Sequence, residues 1–319
     1  MKTFLENLKN ELTRRNFTKK DIEEILHDHE EMIKEAKEEG LSDGDIEEKF
    51  GDPATLANDL MDSRNQSFEG SSVDEEAYTL LKSFTAMAPN FDVKVSLVND
   101  DCEYVIHDQE TIEVYHKNIK NIDNYHCSFD GKQFTLEEKK KLGLMFGIRL
   151  KSGEFLIKVP RDIKSKDVQF KFVSGDAKID YINTDSFNYK TTSGDVHIRK
   201  LETSQMHIST VSGDARIDSG LADTLKMSLI SGDIRIKDFS FTGDAYINTV
   251  SGDALFREVK AAYVDFKTVS GDCEGHEFYP TSIKLRSVSG DISISNKDTD
   301  HKIEVLGKKA VSGSIHING

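Results

Sequence analysis

Two hydrophobic rhythms divide the chain. Near the N-terminus, Phe4, Leu8 and Leu12 stand four apart and predict one amphipathic helix. Thr18, with Asp21 three residues later, predicts the capped start of a second. Its buried face is Ile22, Ile25, Leu26, Met32, Ile33 and Ala36, and Gly40, free to take positive φ, ends it. Ser42 with Asp45 predicts a short third helix that carries Ile46 and Phe50 and closes at Gly51. Asp52-Pro53 predicts a fourth, with Asp as N-cap and Pro at the first helical position, where its missing N–H costs nothing. Leu56, Ala57, Leu60 and Met61 face its inner side.

The second rhythm alternates and repeats. Ser-Gly-Asp recurs with its Ser at 174, 193, 212, 231, 251, 270 and 289, and Ser312-Gly313-Ser314 is a degenerate further copy. The spacings are 19, 19, 19, 20, 19, 19 and 23 residues. A fixed period near 20 predicts a solenoid. Six, four and two residues before Ser stand Val168/Phe170/Phe172, Met206/Ile208/Thr210, Leu225/Met227/Leu229 and Val264/Phe266/Thr268. Such alternation predicts strands with every second side chain inward. Directly before Ser comes a further column, Val173, Thr192, Val211, Ile230, Val250, Val269 and Val288. Three and five after Ser the pattern resumes with Ala177/Ile179, Val196/Ile198, Ala215/Ile217, Ile234/Ile236 and Ile292/Ile294. The inward phase therefore slips by one at the Ser, which predicts a corner. Gly supplies the backbone freedom there, and Asp is placed to bond its own turn. Ile182, Leu201, Phe239, Val259 and Phe278, eight after Ser, anchor a third side. The fold expected is mainly β: a parallel β-helix of about 19-residue coils stacked about 4.8 Å apart, a rod roughly 35–40 Å long, after a small all-α domain.

Charge sharpens the division. Residues 1–62 hold 9 Lys/Arg against 18 Asp/Glu, within a chain of 319 residues and net charge −15. Residues 63–77 have no apolar period and read as a polar linker. The expected organisation is an acidic helical domain at 1–62, a linker at 63–79 and a solenoid at 80–319. Within the last, 80–172 are irregular leading coils that include Phe91–Leu97 and Phe155–Pro160, and 173–319 are the repeats. About 60 residues is little for a free-standing core, so a partner surface would help the helices.

Composition excludes several classes. An acidic chain without a basic run is a poor nucleic-acid binder. No window approaches 18 uninterrupted apolar residues, so no spanning helix is expected. The first residues turn charged at once, unlike the apolar stretch of a signal peptide. Cys102, Cys127 and Cys273 are odd in number and without CxxC spacing, which reads as reduced thiols. A cytoplasmic chain is expected, with peripheral membrane contact left open.

Two resemblances follow from particular residues. Asp21-Ile22-Glu23-Glu24-Ile25-Leu26, the Glu-Glu-Gly at 38–40 and Phe50-Gly51-Asp52-Pro53 followed by Leu56-Ala57 resemble the HAAS-type helical signalling domain of Gram-positive bacteria. Its relatives sit beside transcription regulators or ahead of membrane sensors, which implies a protein-docking role. Leu156-Ile157-Lys158-Val159-Pro160 and the Ser-Gly-Asp repeats resemble the putative-adhesin β-strand-repeat family, of unknown function, over about residues 90–319. Some of those relatives belong to envelope-stress systems.

Each candidate for chemistry has a plainer counterpart. The repeated turns Gly175-Asp176, Gly194-Asp195, Gly213-Asp214, Gly232-Asp233, Gly252-Asp253, Gly271-Asp272 and Gly290-Asp291 would stack carboxylates as a cation ladder does. Like charges about 5 Å apart repel by roughly 0.8 kcal/mol in a watery dielectric. Five inward apolar residues per coil contribute about 8–15 kcal/mol gross. Packing wins, and the turns read as structural without an ion. Two residues past each Asp, Lys178, His197, Arg216 and Arg235 form an outward basic column that can offset the acids or bind an anion. His27-Asp28-His29-Glu30-Glu31 looks metal-like, but its two His point about 200° apart on a helix. Glu23, Glu24, Glu30, Glu31, Glu35, Glu38 and Glu39 are a solvated or partner-docking face. Lys139-Lys140-Lys141 before Leu142–Ile148 reads as a hairpin strand or a loop dipping into an anionic membrane. No nucleophile–base set or phosphate loop appears.

The reading is a non-enzymatic regulatory or interaction protein of the envelope-stress kind, with a protein partner at residues 1–62 and no cofactor or metal. Two alternatives stay open: an envelope-associated, adhesin-like or membrane-surface protein, and a carbohydrate-active β-helix enzyme.

Overall fold

The structure, a computed structural model, describes residues 2–14, 22, 26, 33, 37, 42, 52–54, 77–86, 90–139, 153–298 and 301–318. The chain divides into two compact units, Met1–Glu75 and Glu76–Gly319.

In the first unit, α1 (Lys2–Arg14) buries Phe4, Leu8 and Leu12, so the four-residue spacing is its core face. Ile22 and Ile33 are also buried. Asp52 caps a helical turn at Pro53 and Ala54, its carboxylate accepting the Ala54 N–H at 3.1 Å. The Thr18–Asp21 cap, the third helix, the residues His27–Glu31, the acidic face and residues 140–152 lie outside the described residues, as do residues 63–76.

The second unit is a β-solenoid. Its regular part begins at β8 (Ser165–Phe172) and continues through β9 (Ala177–Ser193), β10 (Val196–Ser212), β11 (Ala215–Ile217), β12 (Gly220–Ser231) and β13 (Ile234–Ser251). It ends with β14 (Ala254–Lys267), β15 (Cys273–Ser287), β16 (Ile292–Ser295), β17 (Glu304–Ala310) and β18 (Ile315–Asn318). Every pairing in this stretch is parallel, and residues one period apart lie in register: Val196 on Ala177 and on Ala215, Ile208 on Tyr189 and on Met227. The 20-residue interval is absorbed as a bulge between Phe241 and Asp244, and the register recovers at once.

The predicted inward columns form one continuous core. Met206, Ile208, Leu225, Met227, Val264 and Phe266 are at most 2% exposed. Val196, Ile198, Ile234, Ile236, Leu201 and Phe239, on the other sides, are equally sealed. The residue directly before Ser does not join them. It falls on the outer side of the corner, where Val173, Val211, Ile230, Val250, Val269 and Val288 are 44–52% exposed. The alternation therefore runs on through that residue and breaks only at the Ser, which is itself exposed, and an apolar letter before Ser does not mark core. A second corner has no glycine signature: Asp238, Glu258 and Glu277, seven after Ser, take φ of 44–55°.

The leading coils are parallel only in part. β2 (Asp92–Leu97) and β3 (Asp101–His107) stack parallel on β8 and β9. β4 (Thr111–Lys117) runs antiparallel to β1 (Thr79–Thr85) and to β7 (Glu154–Pro160), and β5 (Tyr125–Phe129) antiparallel to β6 (Gln133–Glu138). Buried Asp100 pins this end by accepting the Tyr125 hydroxyl and, at 2.8 Å, the Gly153 N–H.

Candidate interaction surface

At each corner the Asp carboxylate bonds the coil above, not its own turn. Asp176 Oδ1 accepts the Asp195 N–H at 2.8 Å, Asp195 accepts Asp214 at 2.7 Å, and Asp214 accepts Asp233 at 2.7 Å. The series runs on through Asp253, Asp272 and Asp291 to Ser314, and starts from Asp101 beneath Asp176. It satisfies an amide that the strand ladder cannot reach where the chain bends. The glycine beside it is forced twice over. Gly232 has φ +136°, and a Cβ there would lie 2.1 Å from the Gly213 carbonyl oxygen.

Burial between coils pushes the Asp176, Asp195 and Asp214 carboxyls above the usual range, against the opposing pull of the amide bonds. Asp291 on the last full turn goes the other way, because the Ser314 N–H and hydroxyl bond it.

The basic column splits. Arg235 reaches the acidic ladder, 2.9 Å from Asp233 and 3.6 Å from Asp214. His197 and Arg216 turn instead to Asp218, at 2.6 and 2.8 Å. Burial alone would raise the Asp218 carboxyl; those two bonds overcome it and hold the group below the usual range. Lys178 lies in register beneath His197, and its charge draws down the raised Asp176 carboxyl. An anion therefore meets a column already engaged with carboxylates.

On the other side of the corner the surface changes sign. Three residues before Ser stand Lys171, Lys190, Lys267, Arg286 and Lys309, with Lys226 and Lys284 two residues further back on the same strand face. Several stack on one another: Lys171 on Lys190, Lys267 on Arg286, Arg286 on Lys309. Asp265 partly offsets them, 2.6 Å from Arg286 and 4.0 Å from Lys267. Between this basic flank and the Asp ladder rises the exposed Val/Ile ridge. Strand alternation turns the ridge outward, since the residue before each ridge position faces the core.

The other reactive groups are structural. Cys102, Cys127 and Cys273 are free and buried, and burial pushes the Cys127 thiol up to about 11 and the other two higher. Among the described residues no group of three or more His, Cys, Asp or Glu is placed to hold a metal ion. Ser128 and His126 share one exposed strand face, 2.9 Å apart. No described helix is long and apolar enough to cross a membrane.

Stacked 19-residue coils, a Ser-Gly-Asp corner and a partly antiparallel lead-in define a repeat β-solenoid. The chain belongs to the Toastrack DUF4097 family, whose family model matches residues 94–318. The HAAS model matches residues 3–59. Among solved structures, a "putative adhesin" from Parabacteroides distasonis shares the fold at 17% identity and a TM-score of 0.52, covering 75% of this chain and 97% of that one. Similar proteins of the same description come from Parabacteroides merdae (16% identity, 75% and 95% covered, TM-score 0.49) and Bacteroides fragilis (14%, 76% and 97%, 0.46). No curated protein matches the chain.

Proposed function

We propose that the chain is a non-enzymatic regulatory scaffold of the cytoplasm that serves envelope-stress signalling. In this reading the HAAS-type unit docks a protein partner, and the solenoid is the rigid body that the docking event positions. One observation carries it: an acidic segment that opens with α1, 18 acidic against 9 basic residues over 1–62, is joined to a solenoid that repeats one outer surface coil after coil. A repeated ridge suits an extended contact, whereas catalysis needs one coil that departs chemically from its neighbours.

The test uses the full chain as bait in cross-linked cells, beside Leu8→Asp. Leu8 is 0% exposed, so a carboxylate there breaks the helical core while leaving the solenoid's own melting transition in place. The expected result is a specific protein captured by wild type and lost with Leu8→Asp. Capture that survives Leu8→Asp, or digestion of the chain by protease added to intact cells, would overturn the reading in favour of a surface role.

A further inference from the structure

The exposed ridge runs the length of the solenoid. Val98 lies beneath Val173, as their neighbours Leu97 and Phe172 are in register. Thr192, Val211, Ile230, Val250, Val269, Val288 and Val311 follow coil by coil. Val98 is 38% and Val311 71% exposed, with the other valines and Ile230 between, and Thr192 is exposed. At about 4.8 Å per coil the ridge is roughly 38 Å long. Monomeric soluble proteins rarely leave so continuous an apolar line in water.

Its flanks are unlike. On one side the lysines stack with like charges directly in register, an arrangement that costs stability in a lone chain. Lys171, Lys190, Lys226 and Lys284 form no ion pair among the described residues. On the other side stands the Asp ladder, of which Asp195, Asp253 and Asp272 likewise form no ion pair among the described residues.

We infer that this face is the interface of a homodimer in which two solenoids lie side by side and parallel, ridge against ridge. Three features select a second copy. First, a twofold axis along the rod places the basic flank of each copy over the Asp ladder of the other. An antiparallel pair would set lysine on lysine. Second, the same axis keeps both copies at equal coil height, so each ridge residue meets its own counterpart on every coil, bulge included. A helix, with its 5.4 Å pitch, falls out of step within a few coils. Third, a flat anionic bilayer would draw in the lysines but meet the Asp ladder at the same time. The strip between the flanks is about 16 Å wide at 3.3 Å per residue, which gives about 600 Å² per copy. That is somewhat below the roughly 800 Å² per partner of a standard interface, as suits a reversible dimer.

Sedimentation of the full chain over a concentration series tests this, with Ile230→Asp and Val250→Asp as variants. Both positions are exposed, so the fold and its melting temperature should hold while the dimer is lost. Orientation is read by single cysteines at Val173 and Val288, since the native thiols are all buried. Val173→Cys and Val288→Cys should each cross-link to themselves under mild oxidation. Mixed together, they should give no 173–288 product. A wild-type chain that stays monomeric, a dimer indifferent to Ile230→Asp, or a predominant 173–288 product would overturn the inference. So would binding of anionic phospholipid vesicles by a monomer that loses it on Ile230→Asp, which would make the ridge a membrane face.

Discussion

Replacing Asp195 by Asn and by Ala separates what the corner ladder needs, a hydrogen-bond acceptor or a negative charge. Asp195 Oδ1 accepts the Asp214 N–H at 2.7 Å, while its own N–H goes to Asp176. Ala removes the acceptor and strands the Asp214 amide between coils, a loss of about 1–3 kcal/mol. Part of that is offset, because a partly desolvated charge beside Asp176 disappears with it, so the net cost is about 1–2 kcal/mol. For a unit of this size 1 kcal/mol moves the melting temperature by about 2–4 °C, so Ala should lower it by roughly 3–7 °C. Asn keeps the acceptor and drops the charge, and should melt within about 2 °C of wild type at neutral pH. The sign with pH follows from the carboxyl itself. Burial between coils raises the Asp195 carboxyl above its unfolded value, so its favourable contribution is complete below the unfolded pKa. It is lost as pH rises through the higher folded value. Asn should therefore gain on wild type as pH rises out of the acid range. Calorimetry of the three proteins, with and without chelator, checks all of this. If Asn proves as damaging as Ala, or chelator lowers the wild-type melting temperature sharply, the charge is what matters and a bound cation holds the corners.

Two further substitutions probe the coil directly. Gly232→Val places a Cβ against the Gly213 carbonyl at a positive φ and should cost more than any exposed change in the same turn, with a melting temperature lower by ten degrees or more. Retention of wild-type melting would mean that the coils are not stacked glycine on glycine. Ile236→Asp puts an unpaired carboxylate into a site 1% exposed and should cost several kcal/mol, read as loss of the solenoid's cooperative transition in urea.

Sequence legibility followed periodicity and failed where periodicity stops. The inward columns were readable because an alternating strand has only two faces, and the repeat shows which is apolar. Val211 or Ile230 reads as core by its apolar letter alone, yet the alternation that buries Thr210 and Leu229 turns it outward. The partner of Asp195 was hidden for a different reason. With identical residues on every coil, the next amide in the chain and the amide one coil up are indistinguishable in one dimension. Arg216 could be placed in a column, but its choice of Asp218 over the ladder depends on side-chain reach. The antiparallel strands of the lead-in left no trace in the repeat, since their pairings carry no fixed interval. Of the candidate surface, the acidic column was legible, whereas the basic flank of Lys171, Lys190, Lys267, Arg286 and Lys309 and its place across an apolar ridge were not.

The glycine-on-glycine stacking has a bearing on how long such a rod can be. Each coil offers upward the same backbone that it receives from below, as Gly213 does to Gly232 and Gly194 to Gly213. The middle coils are therefore interchangeable. Excising residues 213–231 would bring Ser212 directly to Gly232, restore an intact corner and leave a rod one coil shorter with both ends unaltered. In-frame gain or loss of one period thus works as a length adjustment. It moves whatever is attached at one end relative to the other in steps of about 5 Å, without asking any residue to adopt a new role.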